Sequence, residues 1–135
     1  MSATRPALRH GIDLVAVSRL RAAMERHPRF EAEVFTTGER ASCRARPDPW
    51  PHFAARSAAK EAVLKALRCG LLGEGVHRAL SEIEVVRDGG PPTLRFHGRT
   101  ALLAESAGAV APTISLSHDG DAAVASVLWI EEAAS

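Results

Sequence analysis

The chain contains no tyrosine and draws only 4% of its residues from the aromatic set. Proteins that read single-stranded nucleic acid stack bases on aromatic side chains, so this scarcity argues against a nucleic-acid binder. Cysteine is nearly as rare: Cys43 and Cys69 stand alone, in no CxxC or other metal-ligand spacing. They are expected to be reduced thiols in a cytoplasmic protein, because the N-terminus, MSATRPALRHG, lacks the apolar stretch of an export signal. No apolar run approaches the length of a membrane span, so no membrane role is expected. There is no GxxxxGK[ST] loop, no GxGxxG after a strand and no HExxH. P-loop NTPases, dinucleotide-binding folds and zinc proteases are therefore poorly supported. Repeats and low-complexity tracts are also missing.

What is present is an uneven distribution of charge. Residues 1–72 hold 13 Lys and Arg against 7 Asp and Glu, whereas residues 73–135 hold 4 against 9. The net charge of +1 hides this asymmetry. A basic face in a near-neutral protein suits an acidic partner or a phosphorylated ligand; the alternative is that the two halves neutralise each other on folding.

At 135 residues the chain has the size of one domain. Residues 1–9 read as an N-terminal extension and 10–131 as the domain. ALRHGIDLVAV suggests a strand near Leu8 to Leu14 with Asp13 at its centre. A helix over SRLRAAMERH follows, with Ser18 as its cap and Leu20, Ala23, Met24 and His27 on one face. FEAEVFTTGERASCRAR reads as a connector and then a short helix entered from Thr36 or Thr37. RPDPWPHF, with prolines at alternate positions, reads as an extended loop. FAARSAAKEAVLKAL, Phe53 to Leu67, is an Ala-rich helix. Beyond it lie two strands around a Gly-Gly-Pro turn, with Ile83, Val85, Leu94 and Phe96 pointing inward. A helix ended by Gly108 and a hairpin turning at Asp119-Gly120 complete the chain. The sum is an α+β single domain, with a small, mainly antiparallel sheet packed on the long Ala-rich helix.

Three places resist a purely structural explanation. Asp13 is a carboxylate among strand-forming apolar residues, costly there without a positive partner; the alternative is a strand-end residue that caps the next helix. The Ala-rich helix carries two charge stripes, Arg56 with Lys60 and Glu61 with Lys65, although it is otherwise apolar all round. An i,i+4 pair between Glu61 and Lys65, worth about 0.2–0.5 kcal/mol, would explain only one stripe. His118 shares the inward face of its strand with Ile114 and Leu116, but at the last position before the turn. Together these residues have the chemistry of a phosphate site. Two carboxylates can hold Mg²⁺, which takes about six oxygens and draws the remainder from phosphates and water, and Lys and Arg can neutralise the other phosphate oxygens.

GIDLVAVSRL, FAARSAAKEAVLKAL and SLSHDGDAAVASVL, in that order and at these separations, resemble the holo-acyl-carrier-protein synthase family of 4′-phosphopantetheinyl transferases. The resemblance covers about residues 10–130. It implies an enzyme that transfers 4′-phosphopantetheine from coenzyme A to a serine of apo acyl carrier protein and releases adenosine 3′,5′-bisphosphate. On that resemblance Asp13 and Glu61 would hold Mg²⁺ against the coenzyme A pyrophosphate. Lys65 would face the phosphates, with Arg56 and Lys60 as further basic positions toward the coenzyme, and His118 would line its pocket. Arg19, helped by Arg21 and Arg26, would dock the acidic helix of the carrier. The serine proton would pass to Glu61 or to a water that it orients, with His118 as the second candidate base. A homotrimer with sites between protomers is implied, and it would account for the apolar sides of the helix. Ser57 stands where the family usually has an aromatic residue, and His10 replaces an apolar residue ahead of GID. The rival readings are a non-catalytic module that docks an acidic carrier protein through its basic helix and a metal-dependent nucleotide hydrolase. The carrier served, in fatty acid or polyketide synthesis, is left open.

Overall fold

The computed structural model describes residues 7–68, 76–109 and 111–131. Strand β1 (Leu8–Ala16) runs directly into α1 (Val17–Arg26), followed by α2 (Phe30–Val34), α3 (Thr37–Arg44) and the long α4 (Trp50–Leu67). After α5 (Val76–Ser81) come β2 (Ile83–Val86) and β3 (Thr93–Phe96), then α6 (Gly98–Ser106), β4 (Thr113–Asp119) and β5 (Ala122–Ile130). β1, β5 and β4 form an antiparallel sheet in that order, while β2 and β3 form a separate two-stranded one. The α+β class expected from the sequence is correct.

Helix α4 is the centre of the molecule. Residues on every side of it are buried, from Phe53 to Leu67, and its alanines keep the surface low enough for strands to lie close. The closest approach is at Gly11, where a Cβ would fall 1.8 Å from the Ala62 carbonyl oxygen. Only glycine lets β1 cross the helix there. The all-round apolar surface of α4 is therefore covered by its own chain, which corrects the expectation that other copies cover it. Unpartnered apolar surface lies instead on the outer face of the three-stranded sheet. Leu8, Ile12, Leu14, Leu128 and Ile130 are 39–69% exposed there. Strand alternation puts Arg9, Gly11, Asp13 and Val15 on the opposite face, toward α4.

Several boundaries differ from expectation, each for a local reason. The first strand starts at Leu8 as expected but runs on to Ala16, and Arg9 near its start is drawn in: it pairs with Glu131 and donates to the carbonyls of Ala66 and Leu67 at 3.1 Å. Ser18 lies within α1 rather than capping it. The carboxylate at that end comes from across the sheet, where Asp121 accepts from the Ser18 backbone N–H at 2.8 Å and from its hydroxyl at 2.7 Å. His27 is exposed just past α1, outside the Val17–Leu20–Met24 core face. Part of the supposed connector is helical as α2, and Phe30 meets the His77 ring edge-on at 5.4 Å. Helix α4 takes in Trp50-Pro51-His52, since proline is tolerated in a first turn that lacks N–H acceptors anyway. In the β4–β5 hairpin Asp119 pairs with Ala122, so the two turn residues are Gly120 and Asp121; Gly120, at φ 55°, supplies the left-handed position. Thr36 caps α3 in a reciprocal box with Glu39.

Candidate functional site

Asp13 lies in the middle of β1, opposite Ala125 of β5, with its side chain turned onto α4. Mid-strand placement removes the helix-cap alternative. Its positive partner is Lys65, whose Nζ donates to Asp13 Oδ1 at 3.0 Å and to the Ile12 carbonyl at 2.9 Å. Lys65 is thus held by the strand and not by Glu61 on its own helix. Glu61 is half-buried one turn before Lys65, and among the described residues its carboxylate accepts no hydrogen bond. Burial first, and the Asp13 charge second, push the Glu61 carboxyl above the usual carboxylate range, against the pull of Lys65. Two carboxylates from separate elements therefore sense each other across the β1–α4 contact, which the missing side chain at Gly11 makes possible. An oxygen-only donor pair, with like charges held together and one member unpartnered, fits a hard divalent cation better than a soft one. The described residues hold no metal-type group of three or more His, Cys, Asp or Glu, so such an ion would need other oxygens to complete its shell.

Lys60 does not join them. Its ammonium is fully buried and donates to Glu39 Oε1 at 2.7 Å, to the Leu80 carbonyl at 2.9 Å and to the Ile83 carbonyl. An ammonium has three donors, and all are used. The coenzyme-binding role expected of Lys60 gives way to a structural one, tying α3 and β2 to α4. Its partner Glu39 also accepts from the Val85 backbone N–H at 2.9 Å, which leaves this ion pair well satisfied. Sequence reading missed Glu39, although the capping pattern Thr36-x-x-Glu39 was a usable signal.

Arg56 and His118 meet at a different place. They line a cleft of about 290 Å³ together with His52, Ala55, Arg87, Leu116 and Ser117. Arg56 is 4% exposed; it donates to the His52 carbonyl at 3.3 Å and to Ser42 Oγ at 3.0 Å, and its buried Nε has no partner among the described residues. His118 is exposed at the end of β4, with its ring 5.7 Å from that of His52. His52 escaped notice because its segment read as a loop; once it is helical, it stands one turn before Arg56. Nothing in the sequence pointed to Arg87. Arg56 and Glu61 lie about 140° apart around the helix, so the cleft and the carboxylate pair open on different sides of α4.

On α1, Arg19, Arg21 and Arg26 are all exposed. Arg21 is engaged by Glu25 Oε1 at 2.8 Å, with its guanidinium 5.1 Å from the Trp50 ring centre. Arg19 and Arg26 form no ion pair with described residues, leaving two unpaired guanidinium groups for an acidic surface.

Residues 9–127 match the model of the 4′-phosphopantetheinyl transferase superfamily. A holo-[acyl-carrier-protein] synthase from Chloroflexus aggregans is 44% identical to this chain, over 92% of it and 96% of the relative. One from Moorella thermoacetica is 46% identical over 82% of this chain and 84% of its own length. Among solved structures, a Chronobacterium ammoniagenes ACPS–CoA complex superposes with a TM-score of 0.82 at 32% identity, covering 94% of this chain and 99% of that one. A match over most of the length, with the expected α+β architecture beneath it, is decisive: the chain belongs to the 4′-phosphopantetheinyl transferase superfamily.

Proposed function

We propose that this protein is a holo-acyl-carrier-protein synthase: it transfers 4′-phosphopantetheine from coenzyme A to a serine of apo acyl carrier protein and releases adenosine 3′,5′-bisphosphate. The observation that carries the reading is the meeting of Asp13 and Glu61, with the Lys65 ammonium beside them. Phosphoryl transfer needs positioning and charge neutralisation more than covalent help from the protein. Asp13 and Glu61 would hold Mg²⁺, which when bound supplies positive charge at the coenzyme's pyrophosphate. Lys65 orients the same phosphates. The serine Oγ attacks the β-phosphorus, the bond to the bisphosphate breaks, and the serine proton goes to Glu61 or to a water that Glu61 orients. Arg56 and His118 bind the nucleotide end of coenzyme A through the cleft they share. His118 is assigned to that cleft rather than to the proton. Arg19 and Arg26 dock the acidic helix of the carrier protein, with Arg21 in a lesser part.

The outer face of the β1–β5–β4 sheet supports self-association into the homotrimer that the resemblance implies. Ile12 and Leu14 flank Asp13 and are 53% and 69% exposed, so burying them against another copy would bring an interface to the edge of the carboxylate site. It would also let the cleft of one protomer serve the carboxylates of its neighbour. Light scattering is expected to give three times the protomer mass, and Leu14→Glu to give monomers.

The test of function is mass spectrometry of apo carrier protein incubated with coenzyme A, Mg²⁺ and this protein. A gain of one phosphopantetheine is expected. A stable complex without the gain would favour a docking module, and bisphosphate release without carrier would favour a hydrolase.

A further inference from the structure

The cleft beside α4 has an unusual lining: two imidazoles, two guanidinium groups, the Ser117 hydroxyl and no carboxylate. The Nε of Arg56, one of its lining residues, is buried and has no partner among the described residues. A concave surface with two guanidinium groups and no carboxylate, one guanidinium being largely desolvated, suits an anion carrying more than one negative charge. His52 is the member whose charge can change. It stands in the first turn of α4, edge-on to His118 with the ring planes at 74°. The charged groups facing it come from four elements: Arg46 before α4, Arg56 on α4, Arg87 after β2 and His118 on β4. Each of them, after burial itself, holds the His52 imidazole below its ordinary range. A permanent third cation here would be repelled by Arg56 and Arg87 whenever the cleft holds no anion. A neutral imidazole avoids that repulsion and becomes a cationic donor when an anion arrives.

We infer that His52 is a proton-coupled binding residue: it takes up one proton from solvent when a phosphate monoester dianion enters the cleft formed with Arg56, Arg87 and His118. This rests on the reading above, in which the cleft receives the nucleotide end of coenzyme A, and adds to it a residue and a direction of pH dependence. The coenzyme's end is then held most firmly below neutral pH and released more readily above it.

The probe is adenosine 3′,5′-bisphosphate, titrated into the full-length protein while the histidine C–H resonances are followed by NMR; His52→Gln identifies the His52 signal. The midpoint of the His52 titration is expected to move upward on binding, and the dissociation constant to rise about tenfold in His52→Gln relative to the unsubstituted protein at pH 6, but to be nearly unchanged at pH 8. Comparing the two proteins at each pH cancels the titration of the ligand's own phosphates. An unmoved His52 midpoint, or an equal loss at both pH values, overturns the proton coupling while leaving the functional reading intact. If the bisphosphate fails to bind the unsubstituted protein at either pH, the functional reading falls too. The midpoint measurement on the unsubstituted protein decides the matter even if His52→Gln does not fold.

Discussion

Two adjacent residues of α4, Lys60 and Glu61, carry opposite charges into opposite circumstances. Lys60 is fully buried, and each of its three donors has a partner. Glu61 is half-buried, has no hydrogen-bond partner among the described residues, and feels the like charge of Asp13. The first arrangement stabilises the fold and has nothing left to offer a ligand. The second costs stability and has everything left to offer. A charge that is fully satisfied within the chain belongs to the architecture; one left in unfavourable company points to chemistry.

This contrast can be broken by substitution, and the expected effects run in opposite directions. Glu61→Gln should lower the rate of pantetheine transfer by about 10²–10⁴-fold, measured under single-turnover conditions. The same substitution should leave the melting temperature unchanged or raised at neutral pH. The sign follows from linkage. A folded-state carboxyl pKa above the unfolded value means that stability is lost as pH rises through the raised pKa, and glutamine removes that loss. Lys60→Met should do the reverse, destabilising the protein by about 3–5 kcal/mol in denaturant titration because Glu39 is left buried and unpaired. Its rate per folded molecule should fall far less. Gly11→Ala tests the contact on which the carboxylate pair depends. It is expected to destabilise by at least about 1–3 kcal/mol and to lower activity further by lifting Asp13 off the helix. The smallest effect belongs to the basic helix. Arg19→Glu should raise KM for the carrier protein about tenfold with kcat within about twofold, and Arg21→Ala should do less, since Glu25 and Trp50 already engage that guanidinium.

The sequence made the elements visible wherever one period ran uninterrupted. The alternation of β4 and β5 and the Ala-rich run of α4 were readable, as were the odd charges at Asp13 and Glu61. It failed where a residue's role depends on a distant partner. Helical geometry put Lys60 on an apolar sector, but whether that sector faced a ligand or the core was decided by Glu39, Leu80 and Ile83, which no local pattern links to it. The apolar circumference of α4 was legible as burial, but not whose atoms cover it. Ser18 looked like a cap, and the acceptor proved to be Asp121 at the far hairpin. His52 was hidden by the prolines around it, which suggested a loop where proline merely opens a helix.

The central claim is that Asp13 and Glu61 jointly grip one divalent cation. Calorimetric titration of Mg²⁺ into the protein, with coenzyme A present, tests it most directly when Asp13→Asn and Glu61→Gln are compared with the unsubstituted chain. One ion per site should bind to the unsubstituted protein, and either single substitution should weaken it by about tenfold or more. Unchanged Mg²⁺ affinity in either variant, with the fold intact, would contradict the account.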